Sequence, residues 1–225
     1  GQNSSGTVIY NNEKTLDEIN FLPSLNLVYG ITDKTNLRAS ATQTIARPSF
    51  KEKSIAQIYD PITKRTFVGN IDLNQTEIWN YDFRYEWFFG SREILSAAAF
   101  YKTFDGHIEM VAFETAPDNF KPRNAGTAEV LGVELEIRKQ LGFLANNSSE
   151  FFNRLFIGGN LTLVQSKVDM REVNTGNGGE TEYALRQNNL RNDESLDFYR
   201  DMAGQSPYSI NSNSSYEIFE KQLSV

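Results

Sequence analysis

The sequence has no cysteine and a single histidine, His107. Without cysteine, disulfide frameworks, thiol catalysis and cysteine-based zinc sites are excluded. One histidine also disfavours histidine-cluster metal sites and histidine-based catalytic triads. The net charge is −7 and no basic patch stands out, which argues against a nucleic-acid partner. We therefore expect no catalytic, cofactor or metal site.

Long apolar runs are missing as well. No stretch reaches the roughly 18 consecutive apolar residues that a transmembrane helix needs. The negative mean hydropathy would ordinarily indicate a soluble protein, but the strands of a membrane β-barrel are only half apolar. No signal peptide opens the chain, and it stops abruptly at Leu223-Ser224-Val225. We interpret it as a piece of a longer protein.

What the chain does contain is alternation of period two, clearest over residues 77–89. One face of this segment carries only aromatic side chains, and the other carries polar ones. The aromatic set is Trp79, Tyr81, Phe83, Tyr85, Trp87 and Phe89; the polar set is Asn80, Asp82, Arg84 and Glu86. A helix would mix the two sets around its circumference, so the pattern predicts a strand. Six aromatic side chains on one face suit a soluble core or the lipid face of a barrel. Stacking of carbohydrate or bases on this row is an alternative, and we favour a wall that faces lipid.

Similar alternation predicts about seven long antiparallel strands, in the regions 24–31, 36–45, 77–89, 95–102, 131–138, 155–166 and 208–218. Turns at 32–35, 90–93 and 140–153 alternate with long polar loops at 46–73, 105–126 and 168–206. Hairpins that are tight at one end and long at the other are typical of transmembrane β-barrels. We therefore expect an all-β, antiparallel up-and-down meander, with the tight turns facing the periplasm and the long loops facing outside.

Two features have a possible chemical role. Glu134 and Glu136 lie two apart on one strand face, roughly 7 Å from each other, and could be read as the acid/base pair of a glycosidase. The competing interpretation is a polar lumen wall, shared with Arg138, and we favour it. His107 follows Asp105-Gly106 at the start of a predicted loop, where a lone histidine is ordinarily solvated.

Several short motifs occur in a characteristic order. They are Phe21-Leu22-Pro23-Ser24-Leu25, Asn36-Leu37-Arg38 through Ala46-Arg47-Pro48, Asn80-Tyr81-Asp82-Phe83-Arg84-Tyr85-Glu86-Trp87, Ala98-Ala99-Phe100-Tyr101-Lys102, Gly132-Val133-Glu134-Leu135-Glu136 and Gly204-Gln205-Ser206-Pro207-Tyr208. In this order, from about 20 to 220, they resemble the C-terminal half of the barrel of TonB-dependent outer-membrane receptors of the Bacteroidetes type. One departure is Gly69-Asn70-Ile71-Asp72-Leu73, where family members often read Gly-Asn-Pro-Asn-Leu.

The resemblance implies that residues 1–225 form a single segment of a plugged 22-stranded barrel, with the plug domain and the closing strands outside the sequence. It implies no enzymatic activity, an outer-membrane location, and transport of a scarce nutrient such as a siderophore–metal complex or a glycan. The implied partners are outer-membrane lipid, the plug domain of the same protein, TonB and a small-molecule or oligosaccharide ligand.

No ligand-contacting residue follows from the resemblance. The candidates come from the long loops, where aromatic and arginine side chains suit ligand contact: Tyr59, Arg65, Phe67, Arg186, Arg191, Tyr199 and Arg200. Two alternatives remain for the protein as a whole. One is a non-transporting surface protein, such as an adhesin or secretion component, on the same barrel, and the other is a soluble β-sandwich binding module.

Overall fold

The computed structural model describes residues 17–112, 116, 118–171, 181–188, 190–191 and 194–218. Its strands, in chain order, are β1 (Ser24–Thr32), β2 (Thr35–Ala46), β3 (Gln57–Asp60), β4 (Arg65–Val68), β5 (Thr76–Gly90), β6 (Glu93–Asp105), β7 (Ile108–Ala112), β8 (Asn119–Asn124), β9 (Ala128–Gln140), β10 (Leu155–Asp169), β11 (Tyr199–Arg200) and β12 (Tyr208–Tyr216). The helices are a 3-10 helix (Leu141–Ala145), α1 (Glu150–Asn153) and α2 (Glu182–Asn188). Within the described ranges, none of the helices has the length and apolar character that crossing a membrane requires.

The main sheet confirms the predicted meander of seven long strands. Its order is β1-β2-β5-β6-β9-β10, and β12 pairs with β10 along the same edge as the two-residue β11. All pairs are antiparallel. The sheet is open: over the described residues, β1 and β12 pair on one side only. The tight turns at 32–35 and 90–93 also form as predicted.

The register keeps each face of this sheet chemically uniform. One row of paired residues crosses five strands as Ala39, Phe83, Ala99, Val133 and Leu163. Opposed residues in an antiparallel pair point to the same side, so this row belongs to one apolar face. The neighbouring row, one residue along, begins with Ser40 and Asp82 and belongs to the polar face. We call the two sides of the main sheet the apolar face and the polar face.

The apolar face has no covering layer. Phe83 is 52% exposed, and rows of aromatic side chains lie at both ends of β5. Trp79 and Tyr81 stack with their ring centroids 6.1 Å apart, and Trp87 and Phe89 contact at 5.1 Å. An apolar band with aromatic residues towards both ends is the arrangement found on the lipid side of membrane barrels.

The long connections contain structure that the sequence did not predict. Residues 46–73 and 105–126, expected to be loops, contain strands that assemble into a second sheet of order β3-β4-β8-β7. Its central pair, β4 with β8, is parallel and matches Thr66 with Asn119. The strands are only four to six residues long. β4 and β8 come from two separate connections, so no local pattern reveals their pairing.

The segment that departs from the family pattern holds this second sheet in place. Leu73 is fully buried, and Asn70 donates a hydrogen bond from its side chain to the carbonyl oxygen of Pro122 at 3.0 Å. A Cβ on Gly69 would lie 2.1 Å from the carbonyl oxygen of Ser54. Only glycine at position 69 therefore allows the two backbone segments to approach this closely. Residues 69–73 link the connection between β2 and β5 to the connection between β6 and β9.

A glycine on the polar face provides a direct test of packing. The ring of Phe100 lies over Gly132 on the adjacent strand, and a Cβ at Gly132 would meet the ring Cζ at 2.2 Å. We expect Gly132→Ala to destabilise the barrel by about 1–3 kcal/mol through overpacking. The same change in a Phe100→Ala background should cost much less. Urea unfolding of the full-length protein in detergent measures both, and equal costs in the two backgrounds would contradict the packing described.

The open sheet has a consequence for the chain produced alone. Two unpaired edges and an uncovered apolar face both favour association. We expect the 225-residue chain to self-associate in buffer and to bind detergent, and we do not expect it to transport. Light scattering with and without detergent measures this, and a monodisperse monomer free of detergent would contradict it.

Candidate functional site

The polar face carries charges that are paired across strands. Arg84 on β5 contacts Glu134 at 3.1 Å and Glu136 at 3.5 Å, both on β9 and therefore two strands away. Arg38 contacts Glu86 through its Nε at 2.8 Å. Glu134 and Glu136 therefore share Arg84. This arrangement favours the interpretation as a polar wall over that as an acid/base pair.

Arg138 shares the polar face with these glutamates, as expected, and packs its guanidinium over the ring of Phe156, 5.5 Å from the ring centroid. This contact is a cation–π interaction and lies on the same polar face, towards the tight turns. The end of the sheet nearest the tight turns is thus stabilised by packing as well as by charge.

At the opposite end, the long connections bring several predicted candidates to the second sheet. On β4, Arg65 and Phe67 share a face, where the guanidinium of Arg65 lies 4.9 Å from the centroid of the Phe120 ring. The ammonium of Lys51 lies 4.6 Å from the centroid of Phe67. Tyr59 pairs with Thr66, so it lies on the other face of this sheet, and it is 60% exposed.

The remaining candidates lie near α2 and β11. Arg186 pairs with Glu182 at 2.8 Å within α2. The Arg191 backbone N–H donates to Glu194, and the residue is exposed. The ring of Tyr199 lies under the ammonium of Lys167 at 3.7 Å, and its hydroxyl accepts from Arg171 at 2.9 Å. The structure therefore forms two groups, one on the second sheet and one near α2.

Arg200 differs from the other candidates because it is already engaged. Its guanidinium donates two hydrogen bonds to Glu182, both at 2.9 Å, and two to Glu109, one of them at 3.3 Å. All three side chains are at most 16% exposed. We call this set, Arg200, Glu109 and Glu182, the arginine clasp. It joins the connection after β6 to the connection after β10.

The clasp sets the ionisation of Glu109. Burial by itself raises the pKa of this carboxyl, but contacts with His107 and Arg200 and the backbone N–H of Ala203 favour the anion more strongly. The net result is a pKa of about 2, below the ordinary value of 4.5. Glu109 is therefore an anion at any physiological pH.

His107 is buried, in contrast to the solvated position expected from the sequence. It is 5% exposed, its Nδ1 lies 3.3 Å from the carbonyl oxygen of Gly126, and its Nε2 lies 3.1 Å from a carboxylate oxygen of Glu109. The second contact is close but poorly aligned, so Nε2 has no hydrogen-bond partner in the described part of the protein.

A groove of about 320 Å³ lies beside the clasp at the loop end of the polar face. Its walls come from the ends of β2, β5 and β6, from the start of β7 and from residues 202–203. Apolar side chains such as Ile78 and Phe104 form one part, and Arg47, Glu52 and His107 form another. Of these lining residues, the sequence had singled out only His107, and nothing in the sequence places the others together.

No cluster of three or more histidine, aspartate or glutamate side chains suited to a metal ion occurs in the described ranges. Glu109 and Glu182 at the loop end are instead paired with arginines. The polar groups present here suit recognition of an organic ligand by hydrogen bonds and apolar contact.

The sequence matches the family model described as "TonB dependent receptor-like, beta-barrel" over residues 2–220. The chain therefore belongs to this family, as the ordered motifs indicated. Barrels of this family lie in the outer membrane of Gram-negative bacteria, which is also the location of this chain. Its open sheet is a part of such a barrel.

Solved structures agree on the fold. The siderophore receptor PirA from Pseudomonas aeruginosa matches with a TM-score of 0.54 and 20% identity, over 67% of this chain and 29% of that one. A variant of the ferric enterobactin receptor PfeA from the same organism, bound to enterobactin, gives 0.53 and 15% identity over 89% and 26%. PirA from Acinetobacter baumannii gives 0.50 and 14% identity over 89% and 27%. The chain thus spans under a third of each receptor. A search of curated proteins gives no match.

The pH dependence of the clasp follows from the low pKa of Glu109. Ionised Glu109 stabilises the clasp fully above its unfolded pKa near 4.5, and this contribution is lost as the pH falls towards 2. We expect a spin label at Gln187→Cys on α2, in the full-length protein, to become more mobile across that window. Glu109→Gln should mobilise the label at pH 7, whereas the control Glu150→Gln, 77% exposed at the turn end, should not. Unchanged mobility in Glu109→Gln would contradict the role of the clasp.

Proposed function

We propose that residues 1–225 are one wall segment of a TonB-dependent transporter that takes up a scarce nutrient. The nutrient is a siderophore–metal complex or a glycan. The observation that carries the proposal is the two-faced sheet of a family barrel, with an apolar face fit for lipid, a polar face of paired charges, and a groove at the loop end.

Each face has a partner in this proposal. Outer-membrane lipid covers the apolar face, where Phe83 and its neighbours are exposed. The plug domain of the same protein lies against the polar face, where the Arg84 ion pairs form a fixed hydrophilic wall. TonB acts through the plug, outside this chain. The tight turns face the periplasm and the long connections face the medium, where the ligand arrives.

Ligand contacts come from the long connections. Tyr59, Arg65 and Phe67 on the second sheet, with Arg186, Arg191 and Tyr199 near α2, are the proposed contacts that remain at least partly exposed. Arg200 acts indirectly, because its guanidinium is occupied by the clasp. The protein is proposed to be no enzyme. Glu134 and Glu136 share ion pairs with Arg84 in a polar wall, and no acid/base pair of a glycosidase is proposed there.

The test is uptake by cells that carry or lack the full-length gene. We expect the deletion strain to lose growth on a limiting iron or carbon source, supplied as ferric enterobactin or as malto-oligosaccharides. The intact gene should restore growth only when TonB is present. The matched control is the deletion strain complemented with a gene that lacks the plug region.

Growth that is independent of both the gene and TonB, on these sources and on a wider ligand panel, would overturn the proposal. It would favour a surface protein, such as an adhesin or secretion component, on the same barrel. The region preceding this chain separates the two directly, since a plug with a TonB box supports transport and an adhesive or secretion module supports the alternative.

A further inference from the structure

The connection between β9 and β10, residues 141–153, presents large apolar side chains to its surroundings. Phe143, Leu144 and Phe151 are each more than half exposed. Clusters of uncovered apolar side chains mark surfaces that a protein or a membrane covers. The connection therefore has a contact surface, although a turn that only reverses the chain needs none.

The connection is compact, so the directions of its side chains are fixed. It contains two short helices, Leu141–Ala145 and Glu150–Asn153. Gln140 donates a hydrogen bond from its side chain to the carbonyl oxygen of Asn153. Asn153 in turn donates from its side chain to the carbonyl oxygen of Asn147 at 2.9 Å. These bonds tie the two ends and the tip of the connection together.

Phe143 lies at the end of the apolar face. The ammonium of Lys139 is 5.7 Å from the centroid of the Phe143 ring and 4.9 Å from the centroid of Phe89. Lys139 is an even number of residues from Val133 on the same strand, so both side chains project from the apolar face. Phe143 is therefore level with the aromatic pair at the end of β5.

Phe151 reaches the same face on the other side of the connection. Its ring centroid lies 5.4 Å from that of Tyr216, at the end of β12. Tyr216 pairs with Leu155, which is an even number of residues from Leu163 on the apolar face. The connection thus continues the apolar face beyond the ends of β9 and β10.

The two strands that this connection joins lack an aromatic residue on the apolar face. That face consists of Glu129, Leu131, Val133, Leu135, Ile137 and Lys139 on β9, and of Leu155, Ile157, Gly159, Leu161, Leu163, Gln165 and Lys167 on β10. By contrast, β5 ends with Trp87 and Phe89, and β12 ends with Tyr216. Phe143 and Phe151 lie in the gap between these two aromatic ends.

We propose that the connection 141–153 lies in the membrane interface, where it completes the aromatic girdle with phospholipid as its partner. Phe143 and Phe151 enter the lipid beside Phe89 and Tyr216, while the polar tip at 146–148 stays in water. Aromatic girdles form at the level where the apolar band of a barrel meets the headgroups. The contact depends on the outer-membrane location of the chain and not on transport, so the two proposals fail separately.

The test measures where side chains of the connection lie when the full-length protein is in vesicles of phosphatidylethanolamine and phosphatidylglycerol. Spin labels are attached at Phe143→Cys and Phe151→Cys, in a protein without other cysteines; residues 1–225 contain none. For each label, collisions with oxygen, which concentrates in lipid, are compared with collisions with a water-soluble nickel complex. We expect both labels to have an oxygen-to-nickel ratio several-fold higher than a label in water.

Two matched positions calibrate the measurement. Ser148→Cys is a nearly isosteric change at an exposed residue on the tip of the same connection, and its label should report water. Phe83→Cys, 52% exposed on the apolar face, should report lipid. Heat-modifiable migration on gels confirms that each labelled variant has a folded barrel.

The remaining outcomes would overturn the proposal. Labels at 143 and 151 that match Ser148→Cys would show that the connection projects into water. Low collision rates with both reagents would show that protein covers it, either a second copy or another part of the receptor. A lipid signal at only one of the two positions would leave the girdle interrupted.

Discussion

Every strand that crosses lipid must have its backbone N–H and C=O groups paired with a neighbouring strand, because the hydrocarbon offers them no partner. The five inner long strands, β2, β5, β6, β9 and β10, meet this requirement with nearly unbroken ladders, such as the thirteen consecutive residue pairs from Phe156–Gln140 to Val168–Ala128. Continuous ladders in turn fix the register, and the register assigns each side chain to a face. The lipid surface, the polar wall and the position of the groove all follow from this one constraint.

The polar face shows how such a wall accommodates charge. Like charges two apart on one strand repel each other, yet Glu134 and Glu136 both project from the polar face of β9. Arg84 reaches over β6 to contact both of them, which it can do because the small residue Ala98 lies between Arg84 and Glu134 in the register. A small residue on the intervening strand is therefore as necessary to this ion pair as the charges themselves.

Alternation of period two was enough to predict the seven strands and the tight turns, because burial by lipid on one side acts on every second residue. It failed for the short strands β3, β4, β7 and β8, and above all for the pairing of β4 with β8, which joins residues on either side of a complete hairpin. For the candidate site, the sequence predicted the types of residue involved but not which residues lie together. Arg200 could be selected as a loop arginine, but its partner Glu109 lies 91 positions away. Contacts of this range leave no local signal.

The parallel pairing of β4 with β8 has a consequence for the order of assembly. Thr66 and Asn119 are separated along the chain by the whole β5–β6 hairpin, so closing that loop from a disordered chain is costly. Once the hairpin has formed, the start of β5 and the end of β6 already lie side by side. The loop that remains to be closed is then short. The second sheet therefore forms after the wall, and substitutions within it should leave insertion of the wall unaffected while accelerating local opening. The second sheet can thus vary in sequence without endangering the part of the protein that meets the membrane.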